Sequence, residues 1–170
     1  MAVALSVLVI VSDLYARRVP NVGLIAALIF GAGLIVMIWM QGKGGPPWPA
    51  LFGLLIGLAV LLPIHLFGWM GAGDVKFFAV LGFLLGAKAL LPIWIIASVI
   101  AGIHTVAILL SRHLLSRTAP GWNIVQTWIA ASPVGQHLGK TRQGRKGLPY
   151  AAWLGVGALI TVFNPELMHW

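Results

Sequence analysis

Only three of the 170 residues are acidic, and two of them, Asp13 and Asp74, stand at the edges of long apolar runs. A carboxylate at the centre of a bilayer costs about 2.5 to 3.5 kcal/mol on insertion scales, so an acid kept at the margin of a span is a functional residue by default. Asp74 lies in Gly71-Ala72-Gly73-Asp74-Val75-Lys76, where two glycines let backbone approach closely. Asp13 closes the first apolar run. Two carboxylates that share a proton can hydrolyse a peptide bond. The ionised one draws a proton from water as it attacks the carbonyl, and the protonated one donates to the oxygen that becomes charged. Such a pair titrates as a unit. Helix capping is the structural alternative for Asp74, since Asp is a good N-cap. It leaves Asp13 unexplained, because the dipole at a helix C-terminus disfavours negative charge. Lys76 either lowers the charge cost of the site or snorkels to headgroups as an ordinary interfacial lysine.

The elements that must position these acids are membrane spans. With 60% hydrophobic and 8% charged residues, against about 25% charged in an ordinary soluble domain, the chain reads as an all-α, polytopic integral membrane protein with about six transmembrane helices. A single membrane-embedded domain is expected over residues 1–170, with spans at about 2–13, 22–40, 50–67, 76–87, 89–111 and 148–163. Pro20 turns the chain after the first span, and Asn21 is a suitable N-cap for the second. Residues 41–49 are dense in helix breakers. Pro63 falls in the last turn of the third span, where it is expected to kink the helix. The apolar run from Phe77 to Ser111 would extend about 52 Å as one helix against a hydrocarbon core of about 30 Å, so it must be two spans. Gly86-Ala87-Lys88 is the expected turn between them. The first run, about 14 to 16 residues even if it reaches Tyr15, is short for a crossing. It lacks a basic n-region and reads as a retained span rather than a signal peptide, with a start upstream or a locally thinned membrane as the two accounts of its length.

Charge tests this count. Arg17, Arg18, Lys76, Arg112, Arg117, Lys140, Arg142, Arg145 and Lys146 fall on one side, and only Lys43 and Lys88 on the other. The positive-inside rule makes the nine cytoplasmic, puts both termini on the opposite side, and places Asp13 and Asp74 on one face. Fusing the fourth and fifth spans would carry 140–146 across and erase the bias. Several tryptophans near span ends agree with an interfacial belt. The net charge of +8 therefore records orientation, and no basic stripe with base-reading chemistry points to nucleic acid. In the long connection, Trp122, Val125, Trp128 and Ile129 recur at helical spacing over 121–131, which either lies in the headgroup plane or covers the bundle. The basic cluster at 140–146 either contacts anionic membrane lipid or serves orientation alone. The absence of cysteine excludes disulfides, cysteine-zinc sites and thiol catalysis. Five scattered histidines lack ligand spacing, so neither a metal nor another cofactor is expected. Glu166, in the opposite-side tail, reads as solvated. Gly31, Gly33, Gly53 and Gly57 read as places where helices pack closely.

Two motifs together then become specific. Asp13 followed by Arg18-Val19-Pro20-Asn21, and Gly71-Ala72-Gly73-Asp74-Val75-Lys76 after the third span, resemble the type IV prepilin peptidase family of membrane aspartyl proteases. Glycine-any-glycine-aspartate alone is shared with presenilin-like and signal-peptide-peptidase-like proteases, but Ser12 stands where the presenilin-like group has tyrosine. Leu148-Pro149-Tyr150 resembles, less specifically, a Pro-aromatic segment of the family. The resemblance implies that Asp13 and Asp74 are the catalytic pair, with Gly71, Gly73, Lys76, Arg18, Pro20 and Asn21 supporting the motifs. It implies a prepilin or pseudopilin substrate helix that arrives by lateral diffusion and loses a short basic leader at the cytoplasmic face of a bacterial or archaeal membrane. Long members carry a cytoplasmic region with paired cysteines associated with N-methylation. Without cysteine, this chain resembles the short, peptidase-only members that serve Flp/Tad-type pili. A basic leader would be repelled by Arg17 and Arg18 unless these hold lipid or an acidic substrate residue beyond the cut. The rival readings are a small proton-coupled transporter, whose relay acids would lie nearer the midplane, and a non-catalytic pilus or secretion assembly subunit.

Overall fold

The described residues form six helices, α1 (Ala2–Ala16), α2 (Asn21–Met40), α3 (Trp48–Leu66), α4 (Ala72–Leu85), α5 (Ala87–Thr118) and α6 (Tyr150–Phe163), followed by a 3₁₀ turn, Pro165–Met168. This computed structural model describes residues 1–118, 128 and 148–168, without the side chains of 112 and 114–118. Among the described residues there is no strand, and the protein is an all-α membrane protein. Helices α2 and α3, and α5 from Ala87 to Ser111, are each long and apolar enough to cross a membrane, while α1 and α6 are shorter apolar helices. The stretch 121–131, apart from exposed Trp128, and the cluster 140–146 lie outside the described residues.

The short helices form the centre. Helix α4 packs most extensively on α3 and also meets α1, α2, α5 and α6, while α6 wedges between α1 and α5. Phe77, Phe78 and Leu81 of α4 are fully buried with Leu61, Ile93 and Leu154 from its neighbours. The outer faces of α2 and α5 stay apolar and exposed through Ile25, Ile29, Phe30, Val99, Ile103 and Val106, as lipid-facing surfaces should. Since lipid tails remove the hydrophobic drive between helices, close backbone packing must hold the bundle. Gly53 of α3 and Gly82 of α4 face each other so tightly that a Cβ on either would run into the carbonyl of the other. A Cβ at Gly57 would lie 2.8 Å from the Ala79 Cα. Gly31 abuts Phe83 and Leu84, whereas Gly33 faces open space and packs against nothing. On α6, Gly155 lets α1 approach and Gly157 lets α5 approach, with a Cβ at either meeting the neighbour at 2.6 Å.

Several helix boundaries differ from the expected spans: α3 starts at Trp48, α5 at Ala87 and α6 at Tyr150 rather than at about 50, 89 and 148, and three further differences bear on the site. Helix α1 does not end at Asp13: Leu14, Tyr15 and Ala16 continue it, and it stops at Arg17, which turns into the left-handed region at φ 51°. Helix α4 starts at Ala72 rather than at 76, because Gly71 takes the extended N-cap conformation and the Asp74 side chain supplies a partner for its N–H. Asn21 is the first residue of α2, and Pro20, with φ −72° and ψ 111°, holds the N-cap position instead. The expected break after the fourth span falls at Gly86, whose φ of +86° suits glycine.

Candidate active site

Asp13 lies in the last turn of α1 and is buried, with 6% of its surface exposed. Beyond it the chain makes a short basic loop, pinned where Ser12 Oγ donates to the Arg18 carbonyl at 2.8 Å. The loop then passes beneath the start of α4, and Gly73 is the reason it can. A Cβ there would stand 3.0 Å from Val19 Cγ2 and 3.2 Å from Val19 Cβ.

Asp74 is the third residue of α4 and half-buried. Its Oδ2 accepts the Gly71 N–H at 3.2 Å. A Cβ on Gly71 would crowd that same Oδ2 at 3.2 Å. The two motif glycines therefore act differently: Gly71 leaves room for the Asp74 carboxylate to fold back, and Gly73 leaves room for the loop from α1. Asp74 does cap its helix, as an acid inside the first turn rather than as the N-cap residue, and the positive end of the dipole favours it there.

The start of α6 joins the two acids. The Ala152 N–H donates to Asp13 Oδ2 at 2.9 Å in a buried contact. The preceding N–H, of Ala151, faces Asp74, and the Asp13 carboxylate is close enough for its charge to act on Asp74. These are N–H groups that the first turn of a helix leaves without partners of its own. They supply to Asp13 the favourable field that its position at the end of α1 denies it.

Both carboxylates line a cleft of about 1260 Å³. Arg17, Arg18 and Lys76 border it, so three cations surround two acids. Gly71, Gly73 and Asn21 also line it, whereas Pro20 acts through the turn into α2. Its far wall comes from α5, through Trp94, Ser98, Ala101, Gly102 and Thr105, and from Tyr150, whose hydroxyl lies 3.1 Å from Ser98 Oγ. Sequence reasoning passed over the α5 residues. The available signal was their spacing of four, three, one and three, which beyond Trp94 makes one helical face of small and polar residues in an otherwise apolar run. Glu166 is exposed in the turn after α6. Among the described residues no group of three or more His, Asp or Glu is placed to hold a metal ion. Paired carboxylates on hydrogen-bond donors, open to water on one side, can run general acid and base chemistry on a water molecule.

No curated protein and no solved structure matches the chain. A sequence model of the type IV leader peptidase family matches residues 1–106, which span α1 to α4 and most of α5 and include both acids and both motif glycines. Helix α6, whose Ala152 N–H donates to Asp13, lies beyond the matched stretch. The chain belongs to the type IV leader peptidase family and is a membrane-embedded peptidase.

Proposed function

We propose that the protein is an aspartic-type endopeptidase whose reacting groups are Asp13 and Asp74. It removes the leader of type IV prepilin-like substrates of the Flp/Tad kind at the cytoplasmic face of a bacterial or archaeal inner membrane, with both termini on the opposite side. The observation that carries this reading is the start of α6, where consecutive N–H groups face the two acids and draw them to one cleft. A water molecule between the carboxylates gives a proton to the ionised one as its oxygen attacks the scissile carbonyl. The protonated one passes its proton to the carbonyl oxygen, giving a neutral tetrahedral diol. When that intermediate collapses, the carboxyl protonated in the first step gives its proton to the nitrogen, the C–N bond breaks, and a diol hydroxyl returns a proton to the other carboxylate, leaving a carboxyl, an amine and a singly protonated pair.

The helix lengths support cleavage beside a membrane-borne helix. Helix α1 has 15 residues and α4 and α6 have 14 each, so they extend about 21 to 23 Å against a hydrocarbon core of about 30 Å. The C-terminal end of α1 and the N-terminal ends of α4 and α6 meet at the cleft. Its floor is thus recessed below the lipid surface, where water reaches a peptide bond next to an apolar segment. The reading is tested with Asp13→Asn and Asp74→Asn variants co-expressed with a prepilin. Each is expected to leave the precursor full length on a gel, and processing by either variant would sink the catalytic pair. Proton flux in liposomes without any cleavage would assign the acids to transport instead.

A further inference from the structure

The peptide unit joining Met70 to Gly71 is held on both edges. On one edge, His65 Nδ1 lies 2.8 Å from the Met70 carbonyl oxygen. A carbonyl oxygen only accepts, so Nδ1 carries the proton and donates it. On the other edge, the Gly71 N–H donates to Asp74 Oδ2 at 3.2 Å. One planar peptide thus connects a half-buried histidine in the last turn of α3 to the carboxylate in the first turn of α4.

We propose that His65 is a positioning residue for Asp74, acting through the Met70–Gly71 peptide; this rests on Asp74 being one of the reacting carboxylates. The Met70 side chain packs against the core and fixes one end of the segment between α3 and α4, but the residues before it are held loosely. Phe67 and Trp69 project outward, 75% and 83% exposed, and Gly68 takes a left-handed φ of +76°. The Gly68 and Trp69 N–H groups bond back to the His65 and Ile64 carbonyls, which ties the first half of the segment to α3. The His65 side chain extends that tie to Met70, the residue whose peptide meets Asp74. Gly71 has no side chain with which to anchor itself, and the room it leaves is occupied by Oδ2. A hydrogen bond to the carbonyl also polarises the N–H of the same peptide, which strengthens its bond to the carboxylate. Loss of the histidine leaves Asp74 in place on α4 but frees its carboxylate to turn.

The test uses the full chain in lipid nanodiscs with a reconstituted prepilin, comparing His65→Ala with His65→Asn, whose side-chain amide can still donate to the Met70 carbonyl. Cleavage constants and hydrogen exchange at the Gly71 amide are both read. For His65→Ala, kcat is expected to fall about 10- to 100-fold, the scale of a small misplacement of a reacting group, with KM unchanged and faster exchange at Gly71. His65→Asn is expected to recover most of the kcat and the slow exchange. A His65→Ala variant that cleaves like wild type overturns the proposal. So does an unaltered Gly71 exchange in both variants. If wild type itself does not cleave the prepilin, the peptidase reading falls, and exchange at Gly71 still decides whether His65 holds that peptide.

Discussion

The backbone N–H of Ala152 reaches Asp13 Oδ2 at 2.9 Å across 139 positions of sequence. This contact explains how an acid is tolerated in the last turn of α1. The C-terminal end of its own helix opposes a negative charge, and the N-terminal end of α6 offsets that opposition. Because the next N–H up the chain faces Asp74, one helix terminus serves both carboxylates.

Chemistry and support at Asp13 should therefore separate in two variants. Asp13→Asn keeps an oxygen for the Ala152 N–H but has no carboxylate, so its thermal melt in detergent should match wild type while prepilin processing stops. Asp13→Leu leaves the buried N–H without a partner, which costs about 1 to 3 kcal/mol. Its melt should shift downward as well. Equal melts for the two variants would mean that the contact with α6 carries no weight in the fold.

Gly73 and Val19 should behave as a coupled pair. Gly73→Ala forces the loop after α1 away from α4, because the added Cβ has only 3.0 Å to Val19 Cγ2. That displacement parts the two acids and is expected to slow cleavage about tenfold or more. Val19→Ala alone should be mild, and the double variant should regain most of the loss, with a coupling of about 1 kcal/mol in a double-mutant cycle. Strictly additive losses would show that Gly73 serves something other than this approach.

Much of this was legible in the residues themselves. An acid is so costly in an apolar run that Asp13 and Asp74 stood out without any structure, and Gly86 marked the break that a run from Phe77 to Ser111 required. Gly53 and Gly57 were expected to bring helices together, and they do. The part played by α6 was not legible, since backbone N–H groups carry no side-chain signature and Ala151 and Ala152 are unremarkable in an apolar span. The start of α4 was misplaced for a related reason. Two glycines suggest a loop, and only the Asp74 carboxylate returning to the Gly71 N–H shows why the helix begins at Ala72. Gly33 looked like Gly31 in sequence, but they are two positions apart on a helix and so do not share a face.

A shared proton between Asp13 and Asp74 has a kinetic signature. Only the singly protonated pair has both a base for water and an acid for the carbonyl oxygen, so the rate should fall at both ends of the pH range. The two limbs of a kcat/KM profile in nanodiscs would report the pair rather than either residue. Asp74→Asn should flatten the profile at background rather than move one limb. A wild-type rate that rises from acid pH and then stays level would leave a single carboxylate acting as base.

The contact between Gly53 and Gly82 should be the most sensitive packing point in the bundle. In a bilayer the helices gain little from leaving lipid, so α3 and α4 depend on the closeness that these glycines permit. A Cβ on either meets the backbone carbonyl of the other, and backbone cannot turn aside as a flexible side chain can. Gly53→Ala and Gly82→Ala should each lower thermal stability in detergent by about 1 to 3 kcal/mol, the usual cost of overpacking. Cleavage should fall with them, because α4 carries Asp74. Gly33→Ala is the control: its Cβ would enter open space, and alanine is the better helix former, so its melt should not drop. If all three variants melted alike, the close approach of α3 and α4 would not be what holds Asp74 in place.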